Sequence, residues 1–356
     1  MKINIIQTMN YKYSLVILLS FLVIFGASAQ KKNKKKKKKK EVPENIEIIE
    51  SKFSFAPIYV NEYSYLSIKN RKIDDAGEMK YKPNIIGSVG GKMTIKNFTI
   101  SYVRALPQPE EFGKTEARNF VFNFQKRIFG IQLYWTQYKG VYLDTLDRYG
   151  IFDDMYKKGI DKAYILRPDI NIDNIGFQMY FTTTKSFSIN AAFEQTERQK
   201  KTAGSFLMLV GANYTRVRNE KGKSLILSSQ QEYFPKTKDL YNLGALSVKV
   251  APGIGYSFII KKYFSLSAIL DGGLNFQFKW YNLDSSTRTH FGPWLSFYYQ
   301  GRIALGYNGK RYFANLVYSN SQDIIGFVSS YQPYDCTANF KFYREFFKIT
   351  TGFRIL

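Results

Sequence analysis

The chain has 356 residues, a formal net charge of +24, 17% aromatic residues and a mean hydropathy of −0.29. Its single cysteine, Cys336, excludes an internal disulfide frame, and one histidine beside one cysteine excludes a zinc site without carboxylate ligands. Past the N-terminus, no segment is apolar and long enough to span a membrane as a helix.

The first element is an export signal. Lys2 and Lys12 precede an apolar run from Leu15 to Phe25, broken only by Ser20, and Ala27-Ser28-Ala29-Gln30 follows. A basic start, a short apolar core and an A-x-A site are the marks of a secretory signal peptide, here residues 1–29. The apolar run is too short for a spanning anchor, which needs about 20 residues. Residues 30–51 read as a linker. Lys31 to Lys40, broken only by Asn33, repel one another and cannot build a core, so the linker is expected to be disordered. As a functional element the tract is a tether to an anionic surface, such as lipid headgroups or cell-wall polymer. Export and the lack of a recognition motif argue against nucleic acid. Without the two signal lysines and the nine of the tract the charge is still +13.

From Lys52 onward the period is two, which places alternate residues on opposite faces of a strand. In 264–280, Phe264, Leu266, Ala268, Leu270, Leu274, Phe276, Phe278 and Trp280 share one face. Ser265, Ser267, Asp271, Asn275, Gln277 and Lys279 share the other. Residues 248–260 alternate likewise, with Pro252 marking a bulge. Phe129 to Trp135, Ile175 to Phe181, Phe187-Ile189-Ala191-Phe193 and Leu295 to Tyr299 read as further strands. Such lengths suit membrane strands, which need about 9–11 residues at a steep tilt, better than the roughly 5–6 of soluble sandwiches. Short turns, among them Thr182–Lys185 and Asn219–Lys223, alternate with long loops, among them 140–168, 194–204 and 232–243.

The fold class expected is therefore all-β. It is an antiparallel transmembrane β-barrel over 52–356 with about 14 strands (12–16 admissible), short periplasmic turns and long outer loops. The last strand, alternating Phe347, Ile349, Phe353 and Ile355, is similar to the terminal strand read by barrel-assembly machinery, although it ends in Leu356. The expected place is a bacterial outer membrane, with the lipid bilayer as partner.

Chemistry-bearing motifs are sparse. His290 shares a loop with Asp284, Ser285 and Ser286, a weak catalytic candidate for a lipid-modifying enzyme, because a triad is set by geometry and not by proximity in sequence. Asp169-x-Asn171-x-Asp173 opens like a calcium loop but has Asn174 where glycine is needed and Tyr180 where glutamate is needed. Gly87 to Lys92 is one residue short of a phosphate loop, and its glycines give a strand a small lumen face. No metal or cofactor is expected.

Three polar clusters remain: Tyr81-Lys82-Pro83-Asn84, Arg167-Pro168-Asp169, and Glu197-Arg198-Gln199-Lys200-Lys201-Thr202-Ala203-Gly204-Ser205-Phe206 after Glu194-Gln195-Thr196. Together they resemble a domain-of-unknown-function family of bacterial outer-membrane β-barrels, over about residues 52–356. The resemblance implies the fold and no activity. Loop parity puts all three clusters at the outer rim. Arg167, Arg198, Lys200 and Lys201, with Asp169 and Glu197, are then a salt-bridge network closing the mouth or an anion site for lipopolysaccharide phosphates or an acidic solute. The leading role is a non-enzymatic structural, adhesive or envelope-organising barrel. The alternative is a small-solute pore, with inward Lys249, Asp271, Lys279 and Arg302 lining or blocking it.

Overall fold

The computed structural model describes residues 44–70, 78–109, 112–126, 128–147, 165–326 and 338–356. The signal segment, the lysine tract and Cys336 lie outside the described residues.

The alternation becomes strands in chain order: β1 (Ile46–Ile48), β2 (Phe53–Asn70), β3 (Glu78–Lys82), β4 (Ser88–Ile95), β5 (Phe98–Ala105), β6 (Glu116–Gln125), β7 (Phe129–Asp147) and β8 (Ile165–Thr182). There follow β9 (Glu197–Gln199), β10 (Ala203–Arg218), β11 (Leu240–Ile260), β12 (Phe264–Leu283), β13 (His290–Asn308), β14 (Tyr312–Gly326) and β15 (Ala338–Ile355). All but β1 and β9 join one antiparallel sheet of 13 strands. β15 pairs with β2, Ile355 opposite Phe53, and this closes the sheet into a barrel. β3 pairs only with Leu66–Ile68 of β2 and with the far end of β7, while β4, β5 and β6 fill the same gap at the near end. Twelve strands thus ring the end that carries Phe53 and Ile355, which we call the terminal rim. The opposite end is the loop rim.

The faces are inverted relative to a soluble protein. Along β12 the apolar Phe264, Leu266, Leu270, Leu274, Phe276 and Phe278 are exposed, whereas Ser265, Ser267, Asp271, Asn275, Gln277 and Lys279 are buried in the lumen. An apolar outer wall around a polar interior is the pattern of a transmembrane β-barrel. No helix among the described residues is long and apolar enough to cross a membrane. The glycine-rich stretch before Lys92 serves packing: a Cβ on Gly90 of β4 would lie 1.8 Å from the Tyr102 carbonyl oxygen of β5.

Two expected strands do not form. Phe187–Phe193 alternates in sequence, but after β8 the chain turns into the lumen and makes a π-helical turn at Asn190–Glu194. Residues 224–231, the stretch left as a strand between the expected turn at 219–223 and the expected loop at 232–243, likewise form none; they run into a 3₁₀ helix at Ser228–Tyr233 within the β10–β11 loop. Removing both from the expected 14 leaves the 12 of the terminal rim. Residues 44–51, expected as the end of a disordered linker, contain β1, which pairs antiparallel with β9.

Candidate functional site

The polar clusters fall on two sites, one at each mouth of the barrel. Arg167 and Asp169 sit at the loop rim. Glu197, Arg198, Lys200 and Lys201 sit at the terminal rim, which corrects the single outer rim expected from loop parity. The cause is the missing strand. Since Phe187–Phe193 does not cross the wall, the chain returns to the rim it left.

At the terminal rim the segment between β8 and β10 plugs the lumen. Phe187, Ile189, Ala192 and Phe193 pack against lumen residues Leu209, Ala251, Ile269 and Tyr298. Gln195, at φ 60°, ends the π-helical turn. Polar bonds hold it in place. Lys92 of β4 reaches the Glu194 carboxylate at 2.8 Å, and Asn123 of β6 donates to the same carboxylate at 3.4 Å. Asn315 of β14 donates to the Phe193 carbonyl at 3.1 Å. Arg354 of β15 donates to the Gly309 carbonyl at 2.6 Å, to Asn308 Oδ1 at 2.7 Å and to the Gln195 carbonyl.

The Glu197–Lys201 cluster ties this plug to β1. Arg198 is 2% exposed; it donates to the Asn308 carbonyl (2.7 Å), pairs with Glu47 of β1 (2.9 Å) and lies over the Tyr263 ring. Glu197 accepts from the Ser188 hydroxyl at 2.6 Å. Gln199 accepts from the Ser188 N–H and donates to the carbonyls of Ser186 and Lys201. The Lys200 N–H donates to the Asn45 carbonyl at 2.7 Å, and Lys201 reaches Glu44 at 3.3 Å on the open surface. The second terminal nitrogen of Arg198, Nη2, is buried without a hydrogen-bond partner.

At the loop rim the β10–β11 loop folds inward. Leu225, Ile226 and Phe234 join Leu66, Ile68, Tyr81, Leu143 and Ile170 in an apolar core inside the mouth. The other two motifs hold this loop. Tyr81 donates to the Leu225 carbonyl at 2.9 Å. Arg167 forks onto Asp169 at 2.9 and 3.0 Å and donates to the Ser224 carbonyl at 2.7 Å. Asn219 donates to Asp169 at 2.6 Å. Asn84 donates to the Gly113 and Pro109 carbonyls and so pins the β5–β6 loop. The geometry of Gly140, at φ +81°, fits the same corner: its carbonyl accepts from Thr115 at 2.8 Å, and a Cβ there would meet the Lys114 carbonyl oxygen.

A cavity of about 360 Å³ opens beside this loop, lined by Arg167, Asp169, Lys223, Ser224, Asp239 and Asp284. Partial burial pushes the Asp239 carboxyl up, but hydrogen bonds from Ser285 outweigh it and hold the group below its ordinary value. Three carboxylates and two cationic side chains thus share the cavity wall.

Between the plugs the lumen is polar. Lys249 of β11 pairs with Asp323 of β14, Asn275 of β12 donates to Asp323 at 2.7 Å, and Lys249 lies 4.3 Å from the Tyr298 ring centre. Arg302 lies over the rings of Tyr180 and Phe193. Both Asp271 carboxylate oxygens and both Gln277 amide atoms are buried without a protein partner.

His290 stacks on Tyr281, ring centres 4.9 Å apart. Among the described residues no hydrogen bond joins it to Asp284, Ser285 or Ser286. Nor do these residues contain a cluster of His, Cys, Asp and Glu able to hold a metal.

A family model described as a domain of unknown function, DUF4421, matches residues 45–353. The chain belongs to this family. The match begins at Asn45, one residue before β1, so the DUF4421 unit includes the strand that ties the N-terminal side to the plug. No curated protein matches the chain. Among solved structures it is similar to the outer membrane protease OmpT from Escherichia coli, at 8% identity and a TM-score of 0.40, covering 85% of this chain and 97% of that one. It is also similar to the P. putida toluene transporter TodX, at 7% identity and 0.28, covering 85% and 90%. A third is Ail, the attachment invasion locus protein of Yersinia pestis, at 9% and 0.19, covering 85% and 99%.

Proposed function

We propose that the protein is exported by a signal peptide at residues 1–29, inserts in a bacterial outer membrane with its terminal rim toward the periplasm, and acts there as a closed, non-conducting barrel that helps organise the envelope. The observation carrying this reading is the double closure of the lumen by the chain's own segments, each fixed by buried side-chain bonds to the wall. The entry of the chain at the terminal rim, through β1, supports the organising role. In this reading β1 lies on the periplasmic side, and the Lys31–Lys40 tract acts there as a tether to anionic polymer or headgroups.

Fractionation and heat-modifiability test the barrel, and single-channel recording tests the closure. The expected result is an outer-membrane protein with a faster-migrating unheated band and no stable conductance. A stable conductance of the wild-type chain overturns the closed reading. A soluble protein without a heat shift overturns the barrel in the membrane.

A second reading is small-solute transport with a moving plug. It is favoured by the lumen groups of Asp271 and Gln277, which lack protein partners and therefore require water between the plugs.

A further inference from the structure

The outer wall is not equally tall all round. Counted from the terminal rim, the outward residues of β5 are Phe98, Ile100 and Tyr102, and then Arg104. On β6 they are Phe124, Phe122 and Phe120, and then Arg118; β8 turns polar at Asp173 and β15 at Glu345. On β12 and β13 no charge interrupts the outward face. It stays apolar from Phe264 to Trp280 and from Tyr307 back to Phe291.

Sixteen residue steps from Phe264 to Trp280, at about 3.3 Å each and a tilt of about 40°, rise about 40 Å. The apolar band of such barrels is about 25 Å tall. Tilting the barrel shifts which part of the strip is immersed but cannot immerse all of it. The excess faces the loop rim and carries Leu246, Phe276, Phe278 at 60% exposed, Phe291 at 71%, Leu295 and Phe297 at 60%. Apolar patches of this kind mark interaction surfaces.

We propose that this wall is where a second copy of the chain packs, β11–β13 against β11–β13, about a two-fold axis along the membrane normal. The proposal rests on the barrel lying in a membrane. A hydrocarbon layer of about 30 Å leaves the upper end of the strip among headgroups and water, where its apolar side chains are poorly covered. A second copy carries a wall of the same height and covers it along its whole length. The strip has no charge with which to select a different partner, and an isologous contact needs none. The six side chains offer roughly 700 Å² per copy, against about 800 Å² per partner in a standard stable interface. Below them the same wall has a groove of about 590 Å³, floored by Ala268 and Gly301, with Phe206 and Tyr256 projecting at its edge. Knob and hole on one wall extend the contact into the membrane.

Cysteine cross-linking in native membranes tests the pairing, using the full chain with Cys336→Ser. Phe278→Cys is expected to give a dimer-mass adduct with a bis-maleimide. Met93→Cys, equally outward on β4 across the barrel, is expected to give none. A Phe278→Arg, Phe297→Arg double variant is expected to sediment as a monomer while its unheated band still runs fast. The membrane fraction and the heat shift report the barrel alone, and the adduct reports the pairing alone. Equal adducts at both sites, an adduct with another protein, or a wild-type monomer without adduct in a correctly folded barrel overturns the dimer.

Discussion

At the scale of single residues, the motifs act as bolts. Arg198 is the clearest. Its buried guanidinium holds Glu47, the Asn308 carbonyl and the Tyr263 ring at once. Arg198→Ala leaves Glu47 and a buried carbonyl without their donor, and the expected cost is about 2 kcal/mol, below the full figure for a buried pair because Glu47 is partly exposed. The expected readout is protease cleavage within residues 44–51 of the folded barrel. Wild-type resistance in the variant would contradict this role. Tyr81→Phe removes one buried hydrogen bond to the Leu225 carbonyl, for about 1–2 kcal/mol. Its signature is easier labelling of a cysteine placed at Ser228 in the β10–β11 loop, with the heat shift retained. The residue types of these motifs were legible in the sequence. Their partners were not, because the bonds run to carbonyls 110 or 144 positions away and depend on how far each strand crosses the wall.

At the scale of elements, the strands with strict alternation read correctly, and β12 reproduces its expected faces along its length. Phe187–Phe193 misled because period two needs only an apolar residue at every second place. Inside a lumen the plug meets that demand without pairing: Ser188 and Asn190 between the apolar residues are buried as well. A further sign stood in the sequence, since Glu194 next to such a strand requires a cation, and Lys92 supplies it from 102 positions upstream. The two spurious strands cancel in loop parity. Loops before Thr182 and after Leu240 group by rim as parity grouped them, and only the segments between exchange rims. The plug's role follows from its placement. Replacing 186–201 by a short turn is expected to keep the heat-modifiable barrel and to introduce a conductance larger than any wild-type background. A folded variant that stays silent would show that the loop-rim closure alone seals the lumen.

At the scale of the whole molecule, each mouth holds a segment of the chain's own, and the outward face of β12 and β13 is apolar over a longer stretch than that of β5 or β6. The outer wall should therefore respond to bilayer thickness. In thicker-chain lipids more of the β11–β13 strip is immersed, and dimerisation is expected to weaken, as measured by sedimentation or energy transfer across a lipid series. Unchanged association across the series would argue against the mismatch account. The seam between β2 and β15 has another consequence. Phe53 meets Ile355, so the pair that closes the ring joins the first barrel residue to nearly the last. Such a contact spans almost the whole barrel sequence, and contacts of that kind form late and slowly. Until synthesis is complete, the nascent sheet has two open edges that invite pairing with other chains. A chain shortened by its final strand has no ring to complete. It should persist as an open, aggregation-prone sheet however well the other twelve strands pair.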